Sequence, residues 1–347
     1  MYIKKILWAI ALIGLVIFGI IAYYIYGAMF QPNTAFSNDT AHIYVQSNAN
    51  YDDVRKQLEP LLDDINSFDA LASQKKYTSN IKAGRFAISK GMNNNDIINS
   101  IRSKNLPIKI SFNNQNSLAD LAGRISTQIE ADSVALHAAM TNAAFLRKNK
   151  FTEATALGMY LPNSYEFFWN TSAEGFRDKM LKEYNRFWTE ARRIKAKKLK
   201  LTPNEVMTLA SIVYEESKQK EEQPIVAGLY LNRLRIGMPL QADPTLKFAA
   251  YQLPKYKNTI IRRVLNIHME IESPYNTYKN LGLPPGLIAM PDLSAINAVL
   301  DYERHKYLYM VADAKRIGYH KFAKTLAQHN ANARSYHSYL SSQGINQ

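Results

Sequence analysis

The chain has 347 residues, no cysteine, and 43 basic against 29 acidic side chains, a formal net charge of +14. Disulfides and thiolate-bound metals are therefore excluded, and the length allows a few domains beside any targeting segment. A surplus of this sign suits an anionic partner, and the compartment decides which one.

The N-terminus settles the compartment. Ile6 to Phe30 carries no charged residue, and Tyr23, Tyr24 and Tyr26 gather at its far end. About 20 apolar residues span a bilayer, and aromatic side chains favour its interfaces. Lys4 and Lys5 precede the run, so the positive-inside rule keeps residues 1–5 in the cytoplasm. A cleaved signal peptide has an apolar run of only about 7–15 residues and a small-x-small cleavage site. The expectation is a retained single-pass anchor over 6–30 in the cytoplasmic membrane, with the C-terminal domains on the periplasmic side. Export excludes nucleic acid as a partner. The positive charge then suits anionic lipid head groups or an anionic cell-wall polymer.

Residues 31–40, with Pro32, Asn33, Asn38 and Asp39, read as a linker. His42 to Gln46 reads as a short strand. Tyr51 to Leu62 has helical spacing, with Val54, Leu58, Leu61 and Leu62 on one side. Ile81 to Ser89 (IKAGRFAIS) reads as a strand, Met92 to Ser103 as a helix and Leu106 to Phe112 as a second strand. These elements make residues 41–116 a small α+β module.

Ser117 to Ile129 is an amphipathic helix, and residues 117–200 form a largely helical connecting region broken at Leu161-Pro162-Asn163. Tyr165, Phe167, Phe168 and Trp169 follow the break. They read either as core packing or as a stacking wall for a sugar chain. The densest basic run, Arg192 to Lys200 (RRIKAKKLK), reads as a solvated helix end or an anion-binding patch.

The most informative stretch begins at Thr202-Pro203-Asn204-Glu205, a capping box with proline at the first helical position. The helix should run to about Ser217 or Lys218, with Val206, Leu209, Ala210 and Val213 as an apolar stripe. Glu216 continues that stripe, whereas Glu215 falls about 100° away on the line of Thr208 and Ser211. A carboxyl at the end of a buried stripe loses solvation and stays protonated near neutral pH, the state a general acid needs. The competing reading is a helix-end carboxylate paired with Lys218 or Arg233.

Ile225 to Arg235 reads as a further helix, ended by Gly237. Beyond it, Gln241-Ala242-Asp243-Pro244-Thr245, Ser273 to Tyr278 and Gly282 to Gly286 read as loops fixed by proline and glycine. Such loops commonly hold binding side chains.

The blocks LASIVYEES, YLNRLRIGMPLQADPT, SPYNTYKNLGLPPGLIAMP and YLYMVAD, followed by His329-Asn330, resemble the endolytic murein transglycosylases of the MltG (YceG-like) family. The N-terminal module, including KAGRFAISKGM, resembles that family's LysM-like subdomain. The resemblance implies an α+β protein with an anchor, a LysM-like module and a mainly helical plus mixed catalytic domain over residues 201–347. It further implies cleavage of the MurNAc–GlcNAc bond within nascent glycan strands, leaving 1,6-anhydro-MurNAc ends and terminating strand elongation. Matched by position, the family's essential glutamate is Glu216, and Tyr214 takes the first acidic position of its pattern. Glu215 stands where the family often has lysine.

Gln241, Asp243, Tyr275 and Asn276 are the candidates for holding sugars. Each could equally make a hydrogen bond that stabilises its own loop. No cofactor is implied. The expected partners are peptidoglycan strands, the membrane and peptidoglycan synthases.

A metal-dependent wall amidase would need ligands from His268, Glu270, Glu272, His305, His320 and His329, but the spacing lacks an H-E-x-x-H motif. The sequence is also compatible with a noncatalytic glycan-binding scaffold and with a water-using muramidase.

Overall fold

The computed structural model describes residues 2–256 and 259–342. Helices and strands are mixed, and the chain divides into two compact units. One comprises 1–110, 128–131 and 165–172, the other 111–127, 132–164 and 173–347.

The first unit begins with helix α1 (Tyr2–Phe30), which has no buried residue and is long and apolar enough to cross a membrane. At 1.5 Å per residue it is roughly 43 Å long, against about 30 Å of bilayer hydrocarbon. Strand β1 (Thr40–Val45), helices α2 (Tyr51–Leu58) and α3 (Ile65–Gln74), strand β2 (Gly84–Ser89) and helix α4 (Asn94–Ser103) follow. β1 and β2 pair antiparallel, from Thr40 opposite Ser89 to Val45 opposite Gly84. Their inward residues, Ile43, Val45, Phe86 and Ile88, pack on Val54, Leu58, Phe68, Leu71, Ile97 and Ile101.

Several boundaries differ from the sequence reading for local reasons. α2 gives way at Glu59 to a tight turn over Glu59–Leu61, because Pro60 has no N–H to extend the ladder. α3 has no counterpart in the sequence reading. Asp64 caps it by accepting from the Asn66 and Ser67 amides, and Phe68, Leu71 and Ala72 bury its inner face. β2 starts only at Gly84, whose φ is +148° and whose missing Cβ leaves room for the Asn105 side chain. The segment read as a linker is anchored at Asn33. Its amide donates to the Asp64 carbonyl (2.8 Å) and Asn94 Oδ1 (2.7 Å), and its oxygen accepts from the Asp64 amide (2.7 Å).

Strand β3 (Pro107–Phe112) pairs with β4 (Asn163–Phe168). The aromatic cluster on and after β4 is divided: Phe167 is buried, Phe168 is exposed, and the Trp169 ring packs edge-on to Tyr44 at 5.2 Å.

The second unit is mainly helical: α5 (Leu118–Ser126), α6 (Ser133–Met140), α7 (Ala143–Lys148), α8 (Ala173–Phe187), α9 (Glu190–Lys198), α10 (Pro203–Glu216), α11 (Gln223–Arg235), α12 (Asp243–Tyr251), α13 (Asn266–Met269), α14 (Leu293–Leu300) and α15 (Leu326–Ser342). A hairpin of β5 (Tyr309–Ala312) and β6 (His320–Ala323) lies against α15. The basic run is carried mostly by α9, where Ala196 alone is buried.

α10 is the centre of this unit, packed by α9, α11, α12 and α14. It starts with the expected capping box, in which Thr202 Oγ1 accepts from the Glu205 amide and Glu205 accepts from the Thr202 amide at 2.7 Å. Its burial is wider than one stripe, since every residue from Val206 to Val213 is buried. The polar positions allow this by bonding to their own helix: Thr208 donates to the Asn204 carbonyl and Ser211 to the Thr208 carbonyl.

Candidate active site

α10 ends at Glu216 because Ser217 turns extended, with φ −136° and ψ 125°. The turn beyond it is held by a buried carboxylate. Glu222 accepts from Ser217 Oγ (2.8 Å) and, on β6, from the His320 amide (2.6 Å) and His320 Nδ1 (2.9 Å). Burial works to raise the Glu222 carboxyl, but the His320 and Ser217 hydrogen bonds outweigh it and hold the group below the usual carboxylate range. Burial likewise opposes charge on His320, yet Glu222, and more weakly Glu216, raise its pKa overall.

Glu216 is half-buried as a residue, while its carboxyl is closely surrounded. Tyr230, in the middle of α11, donates its hydroxyl to Glu216 Oε1 at 2.6 Å. Burial pushes the Glu216 carboxyl up to about 7. The Tyr230 bond, His320 and Lys247 oppose the rise, and the Asp243 charge adds to it. Neither Lys218 nor Arg233 forms an ion pair with it. Lys218 is taken by Glu215 at 2.9 Å and lies over the Tyr214 ring, so the two adjacent glutamates have different surroundings.

Glu216 opens on a cavity of about 480 Å³. Asp243 is the second carboxylate on its wall, and it accepts from the Tyr278 hydroxyl at 2.6 Å. Asp243 belongs to the first turn of α12 rather than to a loop, with Pro244 next to it as an early helical residue. Gln241 also lines the cavity, at a left-handed φ of +47°. That conformation is supported by Arg233, whose guanidinium donates to the carbonyls of Leu240 (2.7 Å) and Leu308 (2.6 Å). Burial lowers the Arg233 pKa, while its carbonyl partners satisfy the buried donors.

Of the four sequence candidates for sugar contact, the structure brings Gln241 and Asp243 to Glu216 and leaves Tyr275 and Asn276 out of that cavity. Asn276 is fully buried. Its amide donates to the carbonyls of Met269 (2.9 Å) and Ile271 (2.8 Å), and its oxygen accepts from the Tyr278 amide (3.0 Å). It holds the loop that presents Tyr278. Tyr275 packs on Phe248, ring centroids 4.6 Å apart.

Tyr230, Tyr278 and Tyr309 also line the cavity, and sequence reasoning does not single them out. Tyr278 lies within the SPYNTYKN block, but nothing local marks its partner as Asp243. His329 is stacked on Tyr309, and its buried Nδ1 has no hydrogen-bond partner among the described residues. The remaining histidines are scattered: His268 Nδ1 accepts from the Leu265 amide and His305 Nε2 meets the Ile225 carbonyl. Among the described residues no cluster of His, Asp and Glu is suited to hold a metal.

The arrangement provides one carboxyl poised near neutral pH, a phenol that stabilises its ionised form, a second carboxylate and several cationic or hydroxyl donors. That is equipment for proton transfer to and from a polyhydroxylated ligand.

Comparisons with known proteins point the same way. The model of the YceG-like family matches residues 43–335. The endolytic murein transglycosylase of Bacillus subtilis is 30% identical over 333 residues, covering 90% of this chain and 89% of that protein. The endolytic murein transglycosylase of Streptococcus pneumoniae is 33% identical over 183 residues, which are 52% of this chain but 32% of that longer protein. The crystal structure of a YceG-like protein from Listeria monocytogenes aligns with a TM-score of 0.56 at 26% identity, covering 85% of this chain and 99% of that one.

Proposed function

The chain belongs to the YceG-like family, and from that premise we propose that it is an endolytic lytic transglycosylase of peptidoglycan with Glu216 as its acid and base. The observation that carries the assignment is the Glu216 carboxyl, raised to about 7 by burial at the wall of an open cavity.

Protonated Glu216 gives its proton to the oxygen between MurNAc C1 and GlcNAc as that C1–O bond breaks. The MurNAc 6-hydroxyl attacks C1, the C1–O6 bond forms, and the hydroxyl proton returns to the Glu216 carboxylate. No water is consumed, and the product ends in a 1,6-anhydro ring. One carboxyl suffices because the nucleophile sits in the same sugar, and well-oriented intramolecular groups reach effective concentrations of about 10⁵ M and above. Tyr230 steadies the carboxylate between its two proton transfers. Gln241 and Asp243 orient the sugars, with Tyr278 fixing Asp243.

A second reading has one specific support. Asp243 shares the cavity with Glu216, and two carboxylates flanking a glycosidic bond are the usual equipment of water-using glycosidases. A muramidase would use Asp243 to activate water or attack C1.

The remaining parts of the proposal concern placement. α1 would anchor the protein in the cytoplasmic membrane with Lys4 and Lys5 inside and the cavity outside; its length and hydropathy support this. The β1–α2–α3–β2 arrangement would serve as the LysM-like module that holds glycan, supported by its likeness in the segment KAGRFAISKGM. Cleavage inside nascent strands at the membrane would terminate their elongation.

The test is to incubate the full-length protein in detergent with uncrosslinked strands and read the products by mass spectrometry. Internal fragments ending in anhydro-MurNAc, one water lighter than hydrolysis products, support the transglycosylase if Glu216→Gln abolishes them. Reducing ends would establish the muramidase, and binding without cleavage would leave a scaffold.

A further inference from the structure

A second cavity, of about 520 Å³, borders the same two helix ends as the first. Glu215 lines it where Glu216 lines the first, and Pro244 lines it where Asp243 lines the first. Lys247, one turn further along α12, belongs to the second cavity, yet its charge reaches the Glu216 carboxyl and lowers its pKa. Both cavities therefore border the α10 and α12 termini, with the acid on the wall of the first.

The lining of the second cavity suits an amino sugar. Tyr251 is 42% exposed, and its hydroxyl accepts from the Ile261 amide at 3.1 Å, which helps to hold the ring at the cavity wall. Phe248 beside it is backed by Tyr275, which fixes the ring. Aromatic faces of this kind pack against the apolar face of a pyranose. Asn116 and Gln252 supply amides. Glu215, the cavity's carboxylate, is paired with Lys218 at 2.9 Å. Among the described residues the Lys247 ammonium, by contrast, has only a 3.4 Å hydrogen bond to the Arg262 carbonyl, which leaves it for an anion. The lactyl carboxylate of MurNAc is such an anion, carried by a sugar.

We propose that this second cavity binds the glycan residues on the opposite side of the scissile bond from those held beside Tyr278 and His320, with Tyr251 stacking a sugar and Lys247 meeting a lactyl carboxylate. The assignment rests on the transglycosylase reading, because a strand cut internally must be held on both sides of the broken bond. It also gives Tyr275 a role outside the Glu216 cavity, as the support for the Phe248 wall.

The experiment uses the full-length Glu216→Gln protein in detergent, which keeps strands intact, and measures binding of a disaccharide, a tetrasaccharide and an octasaccharide of uncrosslinked glycan by calorimetry. Affinity should rise with length, and Tyr251→Ser and Lys247→Ser should each weaken octasaccharide binding by roughly tenfold or more. Gln252→Trp, which adds bulk at an exposed site without removing packing, should give the same loss, and melting curves check that each variant folds.

Octasaccharide binding that is unchanged in all three variants would overturn the assignment. So would sensitivity confined to the isolated peptide stem, which would make the cavity a peptide site. If wild-type protein makes anhydro ends while the variants bind normally, the cavity assignment alone fails. If wild-type protein makes no ends and binds no strand, the transglycosylase reading fails with it.

Discussion

The Tyr230 hydroxyl donates to Glu216 Oε1 at 2.6 Å, joining the middle of one buried helix to the carboxyl that ends another. The bond opposes the effect of burial on the same carboxyl, since it favours the ionised form. Tyr230→Phe should therefore raise the Glu216 pKa beyond about 7. A hydrogen bond to a charged group contributes about 1.5–3 kcal/mol, so a shift of roughly one to two units is expected. The alkaline limb of kcat/KM should move to higher pH by that amount. kcat should fall about 10- to 100-fold, because the carboxylate formed in proton donation loses its donor. An unmoved limb with a full loss of activity would contradict this account.

Glu216→Gln should abolish cleavage, by about 10³-fold or more if it is the general acid and base, and should stabilise the fold. A carboxyl near 4.5 when unfolded and about 7 when folded keeps its proton in the native state while the unfolded chain releases it. Wild-type stability thus falls as pH rises from about 4.5 to about 7 and is level above that. The difference amounts to about 3 kcal/mol at neutral pH, taking 1.4 kcal/mol per unit. Urea midpoints at acid and neutral pH check this: the two proteins should match at low pH, with Glu216→Gln ahead at neutral pH.

How much of this is legible in the sequence follows from which interactions are local. The α10 start is readable because Thr202 and Glu205 satisfy each other's amides within one turn. Glu216 is readable from its place after Val213, although stripe counting understates the burial of α10. Thr208 and Ser211 look solvent-facing as residue types, but their hydroxyls bond back to the helix and permit burial. Tyr230, Tyr278 and His320 are not readable as neighbours of this acid, because they meet it through tertiary packing alone. Asn276 shows the opposite difficulty. Its surrounding loop motif suggests a binding residue, but its side chain is consumed by the loop's own backbone groups.

Asn276→Ala should act on stability first. It removes a fully buried amide that satisfies the Met269 and Ile271 carbonyls, and orphaned buried acceptors cost about 1–3 kcal/mol. The melting temperature should drop, and KM should rise because Tyr278 loses its loop support. The products of the remaining folded protein should be unchanged. A normal melting temperature with lost binding would instead place Asn276 in direct contact with sugar.

The Glu222–His320 pair should give the protein a window of stability. Glu222 sits below its usual value, so its contribution is full above about 4.5 and is lost as pH falls through its folded pKa. His320 sits above 6.5, so its contribution is full below that value and is lost as pH rises through its folded pKa. The pair thus helps most between about pH 4.5 and 6.5. His320→Gln alone leaves a buried carboxylate without its cation and should cost about 3–5 kcal/mol, whereas the Glu222→Gln, His320→Gln double variant should recover part of that. A double-mutant cycle over pH measures the coupling.

Asp243→Asn separates the two enzymatic readings at one atom. If the MurNAc 6-hydroxyl is the nucleophile, Asp243 only orients the sugar, and the variant should keep activity within about tenfold of wild type. If water is the nucleophile, Asp243 is its base, or Asp243 itself attacks C1, and the loss should reach about 10³-fold. Either way the Asp243 charge helps to raise the Glu216 pKa, so its removal should move the alkaline limb to lower pH. The limb shift therefore confirms that the substitution is felt at Glu216, and the size of the rate loss then decides between the nucleophiles.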